Sequence, residues 1–195
     1  GVVFGFTALA NRMSNAGGAN SANGQAGVSN SYQGVLLGGD PAPAFTLTDQ
    51  TGKTVTLNSL KGKPTVFTFF DSVCPHTDCS LMAQYINVSA KEMGGDMNRV
   101  NWVALSLNPW HDTRQSVNAF ITNQQLKPHL VYLMGSWKQL QPLWNAFHMQ
   151  SIEQAHGIVI HTTGVYLLDC GAAGSRIRYQ APSRLLTRVV LLGKA

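Results

Sequence analysis

The stretch that decides the fold reads Thr65-Val-Phe-Thr-Phe-Phe-Asp-Ser-Val-Cys74-Pro-His-Thr-Asp-Cys79. Its first six residues are apolar, β-branched or aromatic, which predicts a buried strand. A helix is predicted after it, over about residues 78–92. Cys74 and Cys79 therefore fall where a central strand gives way to a helix, and α/β sheets place their sites there. A helix N-terminus stabilises a thiolate, which is both a nucleophile and a soft ligand for copper or zinc.

The elements predicted around this stretch alternate between strand and helix. Upstream, residues 45–48 and 54–57 alternate like a hairpin around a glycine-containing turn. Downstream, the patterns predict strands over residues 100–107 and 130–134, helices over residues 112–123 and 137–147, a hairpin of residues 165–168 and 176–179, and a final helix capped by Ser183. This order predicts an α/β fold, with helices on both faces of a sheet that has a parallel core.

The N-terminal part of the chain differs in composition from the rest. Residues 1–10 are apolar and uncharged, but a membrane-spanning helix needs about 20 such residues. They are interpreted as the outer end of an anchor, or as the end of a signal peptide, since Ala8-Leu9-Ala10 has the form of a cleavage site. An ordinary apolar tail is the alternative. Residues 11–39 have the composition of a flexible tether, so the folded domain is expected to span residues 40–195.

Composition and charge exclude several classes of protein. Hydrophobic residues make up 44% of the 195 residues and charged residues 12%, which argues against disorder of the whole chain and against a coiled coil. The net charge of +5 comes from residues 170–195 alone, because the nine basic residues of positions 1–169 balance nine acidic ones. A basic surface is therefore not general, and nucleic acid is not an expected partner.

Three blocks, together with the cysteine pair, resemble the Sco/SenC family of thioredoxin-fold copper proteins. The opening hairpin and first core strand are similar over residues 38–70, GGDPAPAFTLTDQTGKTVTLNSLKGKPTVFTFF. WVALSLNPWHDT at residues 102–113 resembles the family's next strand and helix start. VIHTTGVYLLD at residues 159–169 resembles its histidine loop and following strand. The resemblance covers about residues 38–192 and implies a thioredoxin-like fold, with an N-terminal hairpin and an extra hairpin near the C-terminus.

The resemblance also implies a function and a ligand set. Family members bind copper through two cysteines and one distant histidine, which correspond here to Cys74, Cys79 and His161. Two thiolates favour Cu(I), and an added imidazole lets such a site hold Cu(II) as well. Family members deliver copper to, or reduce the thiols of, the copper centre of cytochrome c oxidase, a membrane respiratory complex. They are anchored in the membrane and face the periplasm or its equivalent.

The cysteine spacing departs from the family pattern, which has three residues between the cysteines and proline after the second. Here four residues intervene, and Ser80 follows Cys79. Five residues of one helix rotate by about 500°, so two cysteines at this spacing on one helix point in different directions. Cys74 is therefore predicted in the loop before the helix and Cys79 in its first turn, with Thr77 or Asp78 as the N-cap.

Two other functions stay open from the sequence. The same cysteine pair suits a thiol–disulfide oxidoreductase without metal, which predicts a reversible Cys74–Cys79 disulfide. The altered spacing suits a non-catalytic accessory subunit of a membrane respiratory complex. A peroxiredoxin is disfavoured, because neither cysteine has a threonine three residues before it.

Other residues compete for a place at the site. His156 is the substitute for His161, and His76 lies inside the cysteine loop. Cys170 is interpreted as an unpaired thiol, and Asp112 as the N-cap of the helix that begins near Thr113. The resemblance to the Sco/SenC family implies a second possibility for Asp112, a place near the metal loop.

Overall fold

The computed structural model describes residues 35–36, 39–75, 77–154, 159–171 and 174–181, all within the structural unit Ser31–Ala195. The predicted anchor, most of the predicted tether, His76, His156 and the predicted final helix lie outside the described residues. No helix in the described ranges is long and apolar enough to cross a membrane.

The predicted elements that fall within the described ranges occur in the predicted order. The strands are β1 (Val35–Leu36), β2 (Thr46–Asp49), β3 (Thr54–Thr56), β4 (Thr65–Phe70), β5 (Asn101–Ser106), β6 (Leu130–Met134), β7 (Ser151–Glu153), β8 (Val159–His161), β9 (Val165–Gly171) and β10 (Gly174–Ala181). The helices are α1 (Thr77–Met93), α2 (Arg114–Asn123) and α3 (Trp137–Ala146), with short 3-10 turns at Leu57–Leu60 and Gly94–Arg99.

The described strands build an eight-stranded sheet in the order β1-β10-β9-β4-β5-β6-β2-β3. Strands β4, β5 and β6 are parallel, as predicted for the core. The N-terminal hairpin β2–β3 joins the sheet antiparallel to β6, and the C-terminal hairpin β9–β10 joins it antiparallel to β4. The carboxyl ends of β4 and β5 thus lie side by side, directly before the loops that carry the candidate site.

Both faces of β4 are buried, because all six of its residues, TVFTFF, are buried. Val66 and Phe70 pack in a cluster with residues of α1 and α2, whereas Phe67 and Phe69 pack in a second cluster with residues of α3. The ring of Phe67 stacks on Phe147 with centroids 4.9 Å apart. Burying each such side chain contributes about 1.5–3 kcal/mol, so the strand that leads to Cys74 is held firmly from both sides.

Three features of the structure differ from the sequence-based expectations. Strands β7 and β8 form a separate two-stranded antiparallel sheet that was not predicted. Strand β1 pairs with β10, although it precedes the predicted domain start at Asp40. Thr113, not Asp112, caps α2: its side chain accepts a hydrogen bond from the Ser116 backbone N–H. The prediction for Asp112 was wrong because its carboxylate turns away to other partners, described below.

Candidate metal centre

Cys74 and Cys79 are joined by a disulfide bond, with their Cα atoms 6.4 Å apart. Cys74 lies in the loop after β4, and Cys79 lies in the first turn of α1, as the spacing predicts. The two cysteines differ in exposure: Cys79 is only 3% exposed, whereas Cys74 is half-buried. Helix α1 begins at Thr77, so Thr77 and Asp78 lie within its first turn and the N-cap prediction for them was wrong.

A tight turn presents Cys74, and the buried side chain of Asp71 holds it. The Cys74 backbone N–H donates to the Asp71 carbonyl at 3.3 Å. One carboxylate oxygen of Asp71 accepts hydrogen bonds from the Val73 backbone N–H at 3.0 Å and from the Asn108 side chain at 3.1 Å. These bonds fix the direction in which the chain leaves β4, and with it the place of the Cys74 sulfur.

A second carboxylate, that of Asp112, stabilises the same turn through hydrogen bonds. Its oxygens accept hydrogen bonds from the backbone N–H and hydroxyl of Ser72, from the Ser106 hydroxyl and from the Tyr132 hydroxyl. Burial raises the pKa of Asp112, and the hydrogen bonds from Ser106, Ser72 and Tyr132 offset this only in part. Burial, with the charge of Asp112, also raises the pKa of Tyr132 well above its ordinary value. The tyrosine therefore stays protonated and acts as a donor.

His161 reaches the cysteines from the end of β8. Its Nε2 atom lies 3.7 Å from the Cys79 sulfur, and its Nδ1 atom lies 3.3 Å from the Thr162 carbonyl. A carbonyl oxygen only accepts, so a hydrogen bond there requires the proton on Nδ1. In that tautomer, Nε2 faces the sulfur with a free lone pair, which is the form that binds metals.

The unpredicted hairpin β7–β8 is what places this histidine. Ser151 is the cross-strand partner of His161, and the Ser151 hydroxyl donates to the Leu107 carbonyl, directly after β5. The Thr162 backbone N–H donates to the Gln150 carbonyl at 3.1 Å. The histidine loop is thereby tied to the same edge of the sheet that presents Cys74.

The three predicted ligands converge. The sulfurs of Cys74 and Cys79 and a ring nitrogen of His161 all lie within 4.8 Å of one another. Two sulfurs and an imidazole form a soft set that suits copper or zinc, and the set becomes available when the disulfide is reduced. The donor chemistry therefore fits the metal that the resemblance implies. Cys170 lies in β9, and its side chain is outside the described part of the chain.

Sequence reasoning missed Asp71 and Ser151, which hold the ligands in place, and for Asp112 it favoured a helix cap over the place near the metal loop that the family resemblance implied. Asp71 carried no signal beyond its place after a strand. Asp112 resembled a cap because a helix begins two residues later, and Ser151 lies in a strand too short to show alternation. The neighbouring residue Thr113 offered a signal, because Ser116 follows it at the third helical position, as in a capping box. That pattern indicates Thr113 as the cap and leaves the Asp112 carboxylate available for other partners.

Comparison with known proteins identifies the family. The profile of the SCO1/SenC family matches residues 37–189, so the chain belongs to that family. No curated protein matches the sequence significantly. Bradyrhizobium japonicum ScoI, solved with copper bound, is 26% identical with a TM-score of 0.66, over 78% of this chain and 99% of that one.

Two more distant solved structures share the fold. A SCO1/SenC family lipoprotein from Bacillus anthracis is 24% identical with a TM-score of 0.68, over 80% of this chain and 96% of that one. BsSco, a member of the Sco family of cytochrome c oxidase assembly proteins in which a disulfide switch was identified, is 21% identical with a TM-score of 0.65, over 80% and 95% of the two chains. The predicted α/β, thioredoxin-like fold is confirmed.

Proposed function

We propose that this chain is a copper-binding metallochaperone in which Cys74, Cys79 and His161 bind the metal. The observation that carries the proposal is the convergence of two sulfurs and one imidazole nitrogen within 4.8 Å, although the sequence separates His161 from Cys79 by 82 residues. The copper-bound relative ScoI from Bradyrhizobium japonicum supports copper over zinc. Two thiolates favour Cu(I), and the added imidazole suits Cu(II) as well.

Metal binding and the disulfide exclude one another in this proposal. A disulfide has no thiolate to offer, so two electrons must first reduce the Cys74–Cys79 bond to two thiolates. The thiol redox state thus decides whether the site can hold copper. The half-buried positions of Cys74 and His161 leave the site open to a partner that takes the metal.

The acceptor in this proposal is the copper site of a membrane respiratory oxidase, such as cytochrome c oxidase. BsSco, a member of the Sco family of cytochrome c oxidase assembly proteins, supports this acceptor. The domain is proposed to work on the periplasmic or extracytoplasmic side, held at the membrane through the apolar N-terminal segment and the tether. The lipoprotein relative from Bacillus anthracis supports membrane attachment.

Anaerobic titration of the reduced protein with Cu(I) tests the ligand set. We expect about one copper per chain and a loss of affinity of at least tenfold in His161→Ala, because one of three ligands is removed. The control is His129→Ala, which removes an exposed histidine outside the cluster. Unchanged stoichiometry and affinity in His161→Ala would show that the ligand set is wrong.

A thiol–disulfide oxidoreductase without metal is the second candidate, and the Cys74–Cys79 disulfide favours it. It predicts reversible oxidation and turnover with a partner disulfide after all metal has been removed. A metal-free protein that shows no redox change between reducing and oxidising buffers would exclude it. The third hypothesis is a non-catalytic accessory subunit of a membrane respiratory complex, and its basis is the longer cysteine spacing. It predicts full oxidase assembly when both cysteines are changed to serine.

A further inference from the structure

The side chain of Thr162, the residue directly after His161, is held by hydrogen bonds although the residue is exposed. The Thr162 hydroxyl accepts a hydrogen bond from the Gln150 backbone N–H at 2.9 Å and donates one to the Met149 sulfur at 3.6 Å. The Thr162 backbone N–H donates to the Gln150 carbonyl at 3.1 Å. Main chain and side chain together therefore attach Thr162 to the segment that leads into β7.

This segment is itself anchored in the core. Met149 is only 6% exposed and belongs to the apolar cluster that includes residues of α3. Its backbone N–H donates to the Trp144 carbonyl at 2.7 Å, and the Trp144 ring N–H donates to the Ser106 carbonyl at 2.9 Å, at the end of β5. A thioether is a weak acceptor, but burial keeps this one beside the Thr162 hydroxyl. Thr162 is thus bonded to the packed part of the molecule.

The histidine loop, residues 161–164, is fixed at its other end by Gly164. The Thr68 hydroxyl of β4 donates to the Gly164 carbonyl at 3.3 Å. A Cβ atom at Gly164 would lie 3.1 Å from atoms of both Met149 and Tyr166, so the loop passes close to these two side chains. Thr163 alone separates Gly164 from Thr162. The path of the loop is therefore set on both sides of this one residue.

The orientation of the His161 imidazole follows from the place of Thr162. The Nδ1 atom of the ring lies 3.3 Å from the Thr162 carbonyl, and the Nε2 atom lies 3.7 Å from the Cys79 sulfur. A shift of the Thr162 main chain would move this carbonyl and the end of β8 together. The Thr162 hydroxyl is therefore placed to keep the imidazole against the sulfurs.

We infer that Thr162 is a positioning residue that determines how well the site holds Cu(II) relative to Cu(I). This inference rests on the proposed function and adds to it a residue that sets the preferred oxidation state of the metal. Two thiolates are soft ligands that hold Cu(I) by themselves, whereas Cu(II) favours nitrogen and oxygen ligands. Cu(II) therefore loses more than Cu(I) when the imidazole is no longer held in place.

The test compares Thr162→Val, which keeps the shape of the side chain and removes its hydroxyl, with Thr162→Ser, which keeps the hydroxyl. Reduced protein is titrated anaerobically with Cu(I) against a competing chelator. Separate samples are titrated with Cu(II), followed by the thiolate-to-copper absorption. In Thr162→Val we expect the affinity for Cu(II) to fall roughly tenfold, as is usual when a group that orients a ligand is lost. The affinity for Cu(I) should stay within about threefold of wild type.

The matched control is Thr163→Val, the same chemical change at the next residue, which is also exposed. It should change neither affinity, and Thr162→Ser should resemble wild type in both. Equal losses for Cu(I) and Cu(II) in Thr162→Val, or a Thr162→Ser variant as weak as Thr162→Val, would overturn the inference.

A second measurement uses metal-free, oxidised protein and so separates this inference from the proposed function. Carbon-13 relaxation reports the order of the His161 ring, which should fall in Thr162→Val and stay at the wild-type value in Thr162→Ser and Thr163→Val. A ring that is equally ordered in Thr162→Val would contradict the positioning role of Thr162 alone. Failure of the wild type to bind copper would instead contradict the proposed function.

Discussion

One carboxylate oxygen of Asp112 accepts two hydrogen bonds from Ser72, from its backbone N–H at 2.9 Å and from its hydroxyl at 2.6 Å. The other oxygen accepts from the hydroxyls of Ser106 at 2.6 Å and Tyr132 at 2.8 Å. Ser72 lies two residues before Cys74, so Asp112 ties the cysteine turn to β5 and β6. A side chain that sequence reasoning took for a helix cap therefore positions the candidate site.

Replacing Asp112 with alanine should destabilise the protein and weaken its hold on metal. The change leaves the Ser72 N–H and up to three hydroxyls without their acceptor, which costs about 1–3 kcal/mol of unfolding free energy. Urea unfolding measures this loss, and Cu(I) titration should show weaker binding with Cys74, Cys79 and His161 all present. The control is Asp96→Ala, whose exposed ion pair with Arg99 is worth little. Equal losses in the two variants would contradict the positioning role.

Asp112 and Asp49 should affect stability with opposite dependence on pH. Burial raises the pKa of Asp112 above 3.8, so its folded form binds a proton more tightly than its unfolded form. The contribution of Asp112 to the free energy of unfolding therefore falls as the pH rises from 3.8 through the raised value. For Asp49, burial also acts to raise the pKa, but hydrogen bonds from Thr51, Lys53 and Gly52 outweigh it and lower the pKa. The contribution of Asp49 is present above pH 3.8 and is lost as the pH falls through the lowered value.

Urea unfolding between pH 3 and pH 7 checks both signs. The difference in unfolding free energy between wild type and Asp49→Ala should shrink towards low pH. The difference between wild type and Asp112→Ala should grow towards low pH. The same trend in both variants would contradict the assignment of these two environments.

Thr113→Ala should shorten or loosen the start of α2. The Thr113 hydroxyl accepts from the Ser116 N–H at 3.1 Å, and loss of such a cap costs about 1 kcal/mol. Thr122→Ala, at an exposed position in the same helix, is the control and should change stability by less than about 0.5 kcal/mol. If both substitutions cost the same, Thr113 is not the cap.

Alkylation should separate the two cysteines. Both variants also carry Cys170→Ser, so that each has a single cysteine to label. One variant keeps Cys74 and has Cys79→Ser, and the other keeps Cys79 and has Cys74→Ser. Cys74 in the first should react with iodoacetamide at least tenfold faster than Cys79 in the second. The reason is the 3% exposure of Cys79 against the half-buried position of Cys74. Mass spectrometry of timed samples gives both rates. Equal rates would show that both sulfurs are open to a partner.

Local pattern was enough to predict the elements that bury an apolar face. Residues 65–70 were predicted with the bounds that β4 has, because an unbroken apolar, β-branched and aromatic run leaves few other structures. Residues 151–153 gave no such signal, since a three-residue strand shows no periodicity. The structure nevertheless uses that strand to place His161.

The site needed more than local pattern. That Cys74 precedes the helix and Cys79 lies in its first turn follows from helix geometry. The contact between Cys79 and His161 spans 82 residues, and no periodicity in the sequence encodes it, so only the family resemblance pointed to that histidine. The cap of α2 was assigned to Asp112 instead of Thr113 because Asp and Thr are both good caps, and only tertiary packing decides between adjacent candidates.

X-ray absorption at the copper edge of the copper-loaded, reduced protein tests the central claim most directly. We predict a first shell of two sulfurs and one imidazole nitrogen, and loss of the nitrogen in His161→Ala with both sulfurs retained. A shell of nitrogen and oxygen alone, or a spectrum that His161→Ala leaves unchanged, would contradict the assignment of Cys74, Cys79 and His161 as the copper ligands.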